Sequence, residues 1–326
     1  MSLSKISTFS DFTPPQEYRK TKWPLEKQRV KESPITHDIY CEKGSIMALV
    51  AVDYTSPTAK QDFVRSLRET GFGVLKNHPL QQSQVQGIYD DWRAFFGETR
   101  KSDFTVPHNG TGGFYPQTMS ETAKGNTIKD IKEFFHFYPG DVCPEDLRPG
   151  AQSYHENAMS LASELLQWIE DESPAEVSAL YSEPLSDMIE NSPKHLLRIL
   201  HYPPLTGDEE PAAIRAAAHE DINLITILPA ANEPGLQVLA SDGSWLEVPC
   251  DFGNLIVNIG DMLQEVSAGY FPSTTHRVVN PEGSDKTVGR ISIPLFCHPN
   301  PNTVLSERYT ADSYLQERLR ELRGEA

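Results

Sequence analysis

The stretch AAAHEDINLITIL, residues 216–228, combines two metal-binding residue types with the start of an apolar strand. His219 and Asp221 are two positions apart, so on an extended backbone both side chains project from one face while Glu220 points away. The apolar run that follows, residues 224–228, is typical of a buried β-strand. The stretch therefore predicts a strand end that presents an imidazole and a carboxylate to one ion.

A second histidine, His276, lies in the segment STTHRVV, residues 273–279. With His219 and Asp221 it makes a set of two imidazoles and one carboxylate. This set is the facial triad of non-haem Fe(II) sites, which leaves coordination positions open for oxygen and substrate. The same ligands with a bound water would suit Zn²⁺. A lone HxD pair arises often by chance, so the choice of metal depends on the residues that follow.

Arg290 and Ser292 follow the second histidine in the segment GRISIPLF, residues 289–296. By the alternation of a strand they share one face. The planar guanidinium of arginine matches a carboxylate in two hydrogen bonds, and the serine hydroxyl adds a donor. The alternative is an arginine paired with one of the 46 acidic residues. Because the strand is otherwise apolar and follows the metal histidine, we favour a carboxylate-binding site inside a barrel.

The second half of the chain alternates short apolar runs with turns. Asp242-Gly243 between two of these runs is a strong hairpin signal. The runs cover residues 196–202, 224–228, 236–239, 245–248, 255–259, 276–279 and 291–296. Short strands at this spacing are typical of a β-sandwich or barrel. We expect an α+β fold with a jelly-roll core, preceded by a largely helical N-terminal region and followed by a C-terminal helix.

These patterns divide the chain into four expected segments. The segments are an arm at 1–45, a helical region at 46–193, a β-core at 194–305 and a C-terminal helix at 306–326. The arm is irregular, contains prolines and shows no sustained periodicity. The helical region and the β-core are expected to share one structural unit.

Composition narrows the classes of function. The chain has 326 residues, 38% of them hydrophobic, and a net charge of −17, which argues against a nucleic-acid or membrane-surface binder. Its four cysteines are far apart and form no CxxC pair, so we expect free thiols in a reducing cytoplasm. The N-terminus lacks the apolar segment of a signal peptide, and no run approaches the length of a membrane span.

The ordered set His219-x-Asp221, His276 and Arg290-x-Ser292 resembles the isopenicillin N synthase-like branch of the Fe(II)/2-oxoglutarate-dependent oxygenases. The resemblance extends to three further segments and covers residues 46–305, leaving the first 45 residues without a counterpart. Those segments are ETGFGVLKNH at 69–78, LRILHYPP at 197–204 and GNLIVNIGD at 253–261.

This resemblance implies a double-stranded β-helix in which the two histidines and Asp221 bind Fe(II). It also implies that Arg290 and Ser292 hold the distal carboxylate of 2-oxoglutarate, with help from Tyr202, and that O2 takes the remaining position at the metal. The implied reaction is hydroxylation, desaturation or cyclisation of a small molecule, coupled to decarboxylation of 2-oxoglutarate to succinate and CO2.

Four aromatic residues are predicted to line the substrate pocket, from the Gly-rich loop, the aromatic run and the last barrel strand: Phe114, Tyr115, Phe135 and Phe296. His136 is interpreted as a core or rim histidine. The expected substrate is a small molecule, by default an amino acid or a secondary metabolite, and neither nucleic acid nor a membrane is an expected partner.

Other functions stay open at this stage. The same branch contains oxidases that use Arg-x-Ser for the carboxylate of their own substrate, so an Fe(II) oxidase or cyclase without 2-oxoglutarate is one alternative. A zinc hydrolase or a cupin-like binding protein is a more distant one, because neither has need of the carboxylate-binding site at Arg290.

Overall fold

The computed structural model describes six stretches of the chain: 49–107, 111–120, 129–210, 213–230, 234–281 and 286–322. They belong to one compact unit, Met47–Ala326. The predicted irregular arm at 1–45 lies outside the described residues, and the segment boundaries predicted at 193/194 and 305/306 stay predictions.

Helices dominate the region before residue 194 and recur at the C-terminal end. Within the described stretches the α-helices are α1 (Ala59–Thr70), α2 (Gln82–Gly97), α3 (Arg148–Asp171), α4 (Ala175–Ser178), α5 (Leu185–Met188), α6 (Asp261–Val266) and α7 (Ala311–Leu322). The helix α2 shows why these segments fold as they do. Its buried Val85, Ile88, Trp92 and Phe96 recur at helical spacing and form one apolar face. No helix in the described part of the chain has both the length and the apolarity needed to cross a membrane.

Strands are contributed by both halves of the chain. Those described are β1 (Ala51–Asp53), β2 (Phe72–Lys76), β3 (Gly113–Tyr115), β4 (Glu133–Phe137), β5 (Leu196–Tyr202), β6 (Ala216–His219), β7 (Ile225–Pro229), β8 (Leu236–Leu239), β9 (Trp245–Glu247), β10 (Leu255–Ile259), β11 (His276–Val278), β12 (Arg290–Ser292) and β13 (Leu295–Cys297). The region at 46–193 thus supplies four strands as well as helices.

The described strands form two sheets. The major sheet has nine strands in the order β1-β2-β10-β7-β13-β5-β4-β3, with β12 also pairing with β5. The minor sheet has the order β6-β11-β8-β9. All pairs except β1 with β2 are antiparallel. Two antiparallel sheets with flanking helices are the arrangement of a jelly-roll core.

The major sheet separates two apolar cores. The helix-side core joins its outer face to the helices and contains Leu197 and Ile199 of β5. The inter-sheet core lies on the inner face and contains Leu200 and Tyr202 of the same strand, together with Val238 and other residues of the minor sheet. Alternating residues of one strand therefore enter different cores, as the two-residue period of a strand requires.

Gly71 links the first helix to the metal-binding region. It ends α1 with a left-handed backbone (φ 73°), and its carbonyl accepts a hydrogen bond from the amide of Ile259. A Cβ atom at this position would collide with Thr274 and with the carbonyl of Pro272. A residue with a side chain would push away the segment that leads into His276, so glycine is required here for both conformation and space.

Candidate metal centre and active site

The pairing of β6 with β11 brings the two predicted metal histidines together. His219 ends β6, and His276 begins β11 directly opposite it in the antiparallel register. Their ring centroids are 4.4 Å apart. The Nε2 atoms of His219 and His276 lie 3.8 Å and 3.9 Å from Oδ1 of Asp221. One potential ligand atom from each of the three residues lies within 4.8 Å of the others.

Backbone carbonyls fix the orientation of both rings. Nδ1 of His219 is 2.7 Å from the carbonyl oxygen of Ala217, and Nδ1 of His276 is 3.1 Å from that of Thr274. Because a carbonyl can only accept, each Nδ1 carries the proton and each Nε2 keeps its lone pair for a metal. The ring of Phe72 packs edge-on against His276 at 5.4 Å and supports it from the major sheet.

Two buried side chains orient the carboxylate. Thr226 Oγ1 donates to Oδ2 of Asp221 at 2.6 Å, and Asn258 Nδ2 donates to the same oxygen at 2.8 Å. Thr226 and Asn258 are direct partners in the pairing of β7 with β10. Both donors act on Oδ2, which leaves Oδ1 directed toward the two histidines.

The protonation states suit a cation. Partial desolvation, and then the neighbouring His276, lower the pKa of His219 to about 4. Burial raises the pKa of Asp221, but the two imidazoles and the bonds from Thr226 and Asn258 outweigh this and hold it below its ordinary value. At neutral pH His219 is therefore neutral and Asp221 is ionised. Two neutral imidazoles and one carboxylate are the donor set of non-haem Fe(II) sites, so these residues fit an iron ion.

Arg290 has the environment of an anion-binding residue. It pairs with Tyr202 across β12 and β5, is only 4% exposed, and its Cζ lies 6.0 Å from the Tyr202 ring. Nη1 donates to the carbonyl of Pro234, whereas the buried Nε has no hydrogen-bond partner and no carboxylate of the described residues pairs with the guanidinium. A buried, unpaired guanidinium is costly unless an anion binds it. Ser292 is also buried, one alternation further along β12.

Tyr202 lies on the inner face of the major sheet, as the resemblance implies for a residue near the co-substrate. Burial raises the pKa of Tyr202, although Lys132 and Arg290 oppose this effect. The hydroxyl therefore stays protonated at neutral pH and can donate a hydrogen bond. Another arginine, Arg215, is fully buried with its Cζ 5.7 Å from the same ring.

A buried ion pair connects the start of β4 to the metal strand. Lys132 Nζ donates to Oδ2 of Asp130 at 2.9 Å, and both side chains are less than 10% exposed. Oδ1 of Asp130 accepts the amide of Ala217, two residues before His219. Sequence reasoning missed this pair. Its signal is the alternation of DIKEFFHF, residues 130–137, which places Asp130, Lys132, Phe134 and His136 on one face.

The four predicted pocket aromatics are divided between the two faces of the major sheet. Phe114 and Phe135 lie in the helix-side core, 3% and 0% exposed, with Phe135 packed 5.0 Å from the ring of Trp92. Tyr115 packs against the inter-sheet core, stacked on Phe134 at 4.8 Å. Phe296 pairs with Thr226, the residue that bonds to Asp221, and so lies on the metal side. The structure therefore brings Tyr115 and Phe296 to the inner face and places Phe114 and Phe135 behind it.

The fold and the site together define a class of protein. Two antiparallel sheets that hold a His-x-Asp…His triad and a buried arginine with no carboxylate partner among the described residues are the framework of a non-haem iron oxygenase. Family models agree with this class. The model of the 2OG-Fe(II) oxygenase superfamily matches residues 193–299, and that of the non-haem dioxygenase in morphine synthesis N-terminal region matches residues 49–159.

Solved structures identify the family. A Shewanella oneidensis protein assigned as an oxygenase is 61% identical, with a TM-score of 0.78 over 85% of this chain and 99% of that one. A 2OG-Fe(II) oxygenase family protein of Caulobacter crescentus is 31% identical, with a TM-score of 0.69 over 84% and 99% of the two chains. The chain therefore belongs to the 2OG-Fe(II) oxygenase superfamily.

A curated relative gives the same result. Gibberellin 2-beta-dioxygenase 2 of Arabidopsis thaliana is 25% identical over 266 residues, which cover 77% of this chain and 74% of the relative. The protein is a non-haem Fe(II)- and 2-oxoglutarate-dependent oxygenase, and thus an oxidoreductase. The predicted family, fold class and cofactors are confirmed. The oxidase without 2-oxoglutarate, the zinc hydrolase and the cupin-like protein are not favoured.

Proposed function

We propose that His219, Asp221 and His276 hold the iron and that the site oxidises a small organic molecule with 2-oxoglutarate as co-substrate. The observation that carries this assignment is the convergence of three donor atoms within 4.8 Å on the barrel face that also holds Arg290, whose buried Nε has no hydrogen-bond partner among the described residues. When bound, Fe(II) supplies oxygen activation coupled to decarboxylation of 2-oxoglutarate to succinate and CO2. The side chains of this protein bind and orient the co-substrate and exclude water.

The side chains around Tyr202 bind and orient the co-substrate. Arg290 gives the distal carboxylate of 2-oxoglutarate a charge-assisted partner, and the hydroxyls of Ser292 and Tyr202 supply further donors. Apolar residues of the inter-sheet core, among them Val74 and Val238, exclude water from this space. On the metal side, the carbonyls of Ala217 and Thr274 keep the protons of both histidines away from the ion.

The prime substrate is proposed to be a small molecule, either an amino acid or a secondary metabolite. Relatives support the broader class. One is named for gibberellin, and a Neurospora crassa protein with a TM-score of 0.67 and 22% identity has been solved with thymine. The acidic composition further supports a small substrate over nucleic acid, and the three described cysteines, which are all free, support a cytoplasmic location.

Succinate formation tests this function directly. Metal-free protein is reconstituted with Fe(II) or Zn(II), and oxygen uptake and succinate are measured with and without 2-oxoglutarate. We expect slow succinate formation even without a prime substrate, and only when Fe(II), O2 and 2-oxoglutarate are all present. Protein that retains Zn(II), consumes no oxygen and forms no succinate would contradict the proposal.

A further inference from the structure

Asn223 places a fully buried amide behind the metal carboxylate. Its side chain is 0% exposed, and its Nδ2 lies 2.9 Å from Oγ1 of Thr226. Thr226 in turn bonds to Oδ2 of Asp221 at 2.6 Å. The three side chains therefore form a chain of two hydrogen bonds that ends on a candidate metal ligand and begins at Asn223.

The directions of these two hydrogen bonds follow from the charge of Asp221. Burial opposes its ionisation, yet the pKa of this carboxyl lies below its ordinary value, so at neutral pH both of its oxygens can only accept. Thr226 therefore donates its one hydroxyl proton to Oδ2. Its Oγ1 is left to accept a bond from Asn223, which requires that the amide nitrogen, and not the amide oxygen, faces Thr226.

Backbone contacts hold Asn223 in place. Its carbonyl accepts the amide of Met262 at 3.0 Å, and the carbonyl of Asp221 accepts the amide of Asp261 at 2.8 Å. A Cβ atom at Gly260 would collide with both the side-chain oxygen and the carbonyl oxygen of Asn223. Glycine at position 260 therefore allows the junction between β10 and α6 to pack directly against this amide.

Folding stability alone does not explain an amide at this position. Oδ1 of Asn223 is buried and has no hydrogen-bond partner among the described residues. A buried carbonyl oxygen without a partner costs free energy of folding. Leucine has a similar shape and would avoid this cost. The hydrogen bond that the side chain does make goes to Thr226, which points to a role at the metal carboxylate.

Two donors on Oδ2 restrict how Asp221 can bind a metal. Thr226 and Asn258 both donate to this oxygen, so the carboxylate offers Oδ1 alone to an ion. An octahedral ion held by one atom from each of the three candidate ligands keeps three positions open. A carboxylate that bound through both oxygens would occupy one of these positions, which oxygen and the co-substrate need.

We propose that Asn223 is a positioning residue that keeps the proton of Thr226 on Oδ2 of Asp221 and so limits this carboxylate to one coordinating oxygen. Without the amide, the Thr226 hydroxyl can rotate toward another acceptor, and Asn258 alone restrains Oδ2. The second oxygen then reaches the ion and closes a position. This inference rests on the proposed metal assignment and adds the residue that keeps the site open.

Bound Mn(II) tests this role without turnover. The relaxation rate of water protons rises with the number of water molecules on a protein-bound Mn(II) ion, and each of these waters marks an open position. We expect Asn223→Leu and Thr226→Val to lower this relaxivity by up to about one third, because a carboxylate oxygen replaces one of three waters. Loss of Mn(II) binding in His219→Ala shows that the ion reports on this site.

Combined variants separate positioning from a merely structural role. Because Asn223 acts through Thr226, Asn223→Leu should cause no further loss of relaxivity in the Thr226→Val protein. Thr226→Ser keeps the hydroxyl and should retain the relaxivity of the unmodified protein. Asn223→Ala removes the same donor without adding bulk, and it gives the same result if the leucine variant does not fold.

Thr303 provides the matched control. It is 5% exposed and its hydroxyl donates to Glu183 at 2.8 Å, so Thr303→Val removes a bond of the same kind from a carboxylate that is not a candidate ligand. Its relaxivity should equal that of the unmodified protein. Unchanged relaxivity in a folded Asn223 variant, or an equal fall in Thr303→Val, would overturn the positioning role. Succinate formation by the unmodified protein with Fe(II) is measured separately, so a failure of the oxygenase function is distinguished from a failure of this inference.

Discussion

The two faces of β4 and β5 differ sharply although they belong to the same strands. On the outer face Phe135, Phe137, Leu197 and Ile199 are all 0% exposed and join the helix-side core. On the inner face the alternate positions carry Lys132, Phe134 and His136 on or just before β4, and Arg198 and Tyr202 on β5. The outer face is apolar except at one end of the two strands, where Glu133 pairs with His201. The inner face holds cations, a histidine and a tyrosine.

This difference shows how a jelly-roll enzyme separates stability from chemistry. Burial of apolar side chains on the outer face contributes most of the stabilisation, because each large side chain removed from water is worth a few kcal/mol. The inner face then tolerates polar groups that contribute less to stability. Substitutions only one residue apart should therefore differ in kind, with loss of folding stability on one face and loss of function on the other.

The largest effect is expected at the metal centre. His219→Ala removes one of three ligands and should reduce succinate formation to the level of the metal-free protein. The side chain is 44% exposed, so the melting temperature should change little. Glu220→Ala is the neighbouring control, because Glu220 points away and bonds to Thr275. Full activity in His219→Ala, or equal loss in both variants, would show that the metal assignment is wrong.

On the outer face, Phe135→Ala should mainly reduce stability. It empties a site that packs against Trp92 and Phe95, so we expect the free energy of unfolding to fall by about 3–5 kcal/mol. Denaturant titration measures this loss. The KM for the co-substrate, measured well below the melting temperature, should stay as in the unmodified protein. A variant with normal stability and a raised KM would place Phe135 in the pocket, as the sequence first indicated.

On the inner face, Arg290→Ala should weaken co-substrate binding. Loss of a charge-assisted bidentate pair corresponds to about 1.5–3 kcal/mol, so the KM for the co-substrate should rise by about 10- to 150-fold. Steady-state succinate formation at varied 2-oxoglutarate concentration gives this KM. Arg308→Ala is a suitable control, because Arg308 is a largely exposed arginine paired with Glu317. If the KM is unchanged, Arg290 does not bind the co-substrate.

The smallest expected effect is a pH dependence of the folding stability, caused by a buried histidine on the helix side of the major sheet. His155 of α3 lies 6.3 Å from the Phe137 ring, and burial, followed by the nearby His195, lowers its pKa to about 4. Between about pH 6.5 and pH 4, His155 is protonated in the unfolded chain but stays neutral in the native state. Stability from this group is therefore complete above its unfolded pKa and declines as pH falls, by at most about 1.4 kcal/mol per pH unit.

Denaturant titrations across this pH range measure that slope. His155→Gln lacks the titrating ring and should show a shallower decline than the unmodified protein. A variant with the same slope would assign the acid sensitivity to other groups, such as His298, whose pKa is also lowered to about 4 by burial.

The spacing of residues made the metal triad and the Arg290-x-Ser292 pair predictable, because alternation on a strand decides which side chains share a face. Alternation alone does not say which face is inside. Phe135 of the aromatic run FFHF was predicted to line the pocket, and the register places Phe134 on the inner face and Phe135 on the outer one, since a shift of one residue reverses every side chain.

Contacts between distant segments were harder to predict. The bond from Asp130 to the amide of Ala217 and the position of Arg198 between Phe134 and Phe296 depend on how β4, β5 and β13 are ordered in the sheet. No local pattern encodes that order, whereas the helix α2 and the strand β10 follow directly from their own apolar periodicity.

The most direct test of the central claim is anomalous diffraction from crystals grown without oxygen in the presence of Fe(II) and 2-oxoglutarate. We expect one iron peak bonded to His219 Nε2, His276 Nε2 and Asp221, with the distal carboxylate of 2-oxoglutarate against Arg290. Iron bound away from these three residues, or 2-oxoglutarate bound without contact to Arg290, would contradict it.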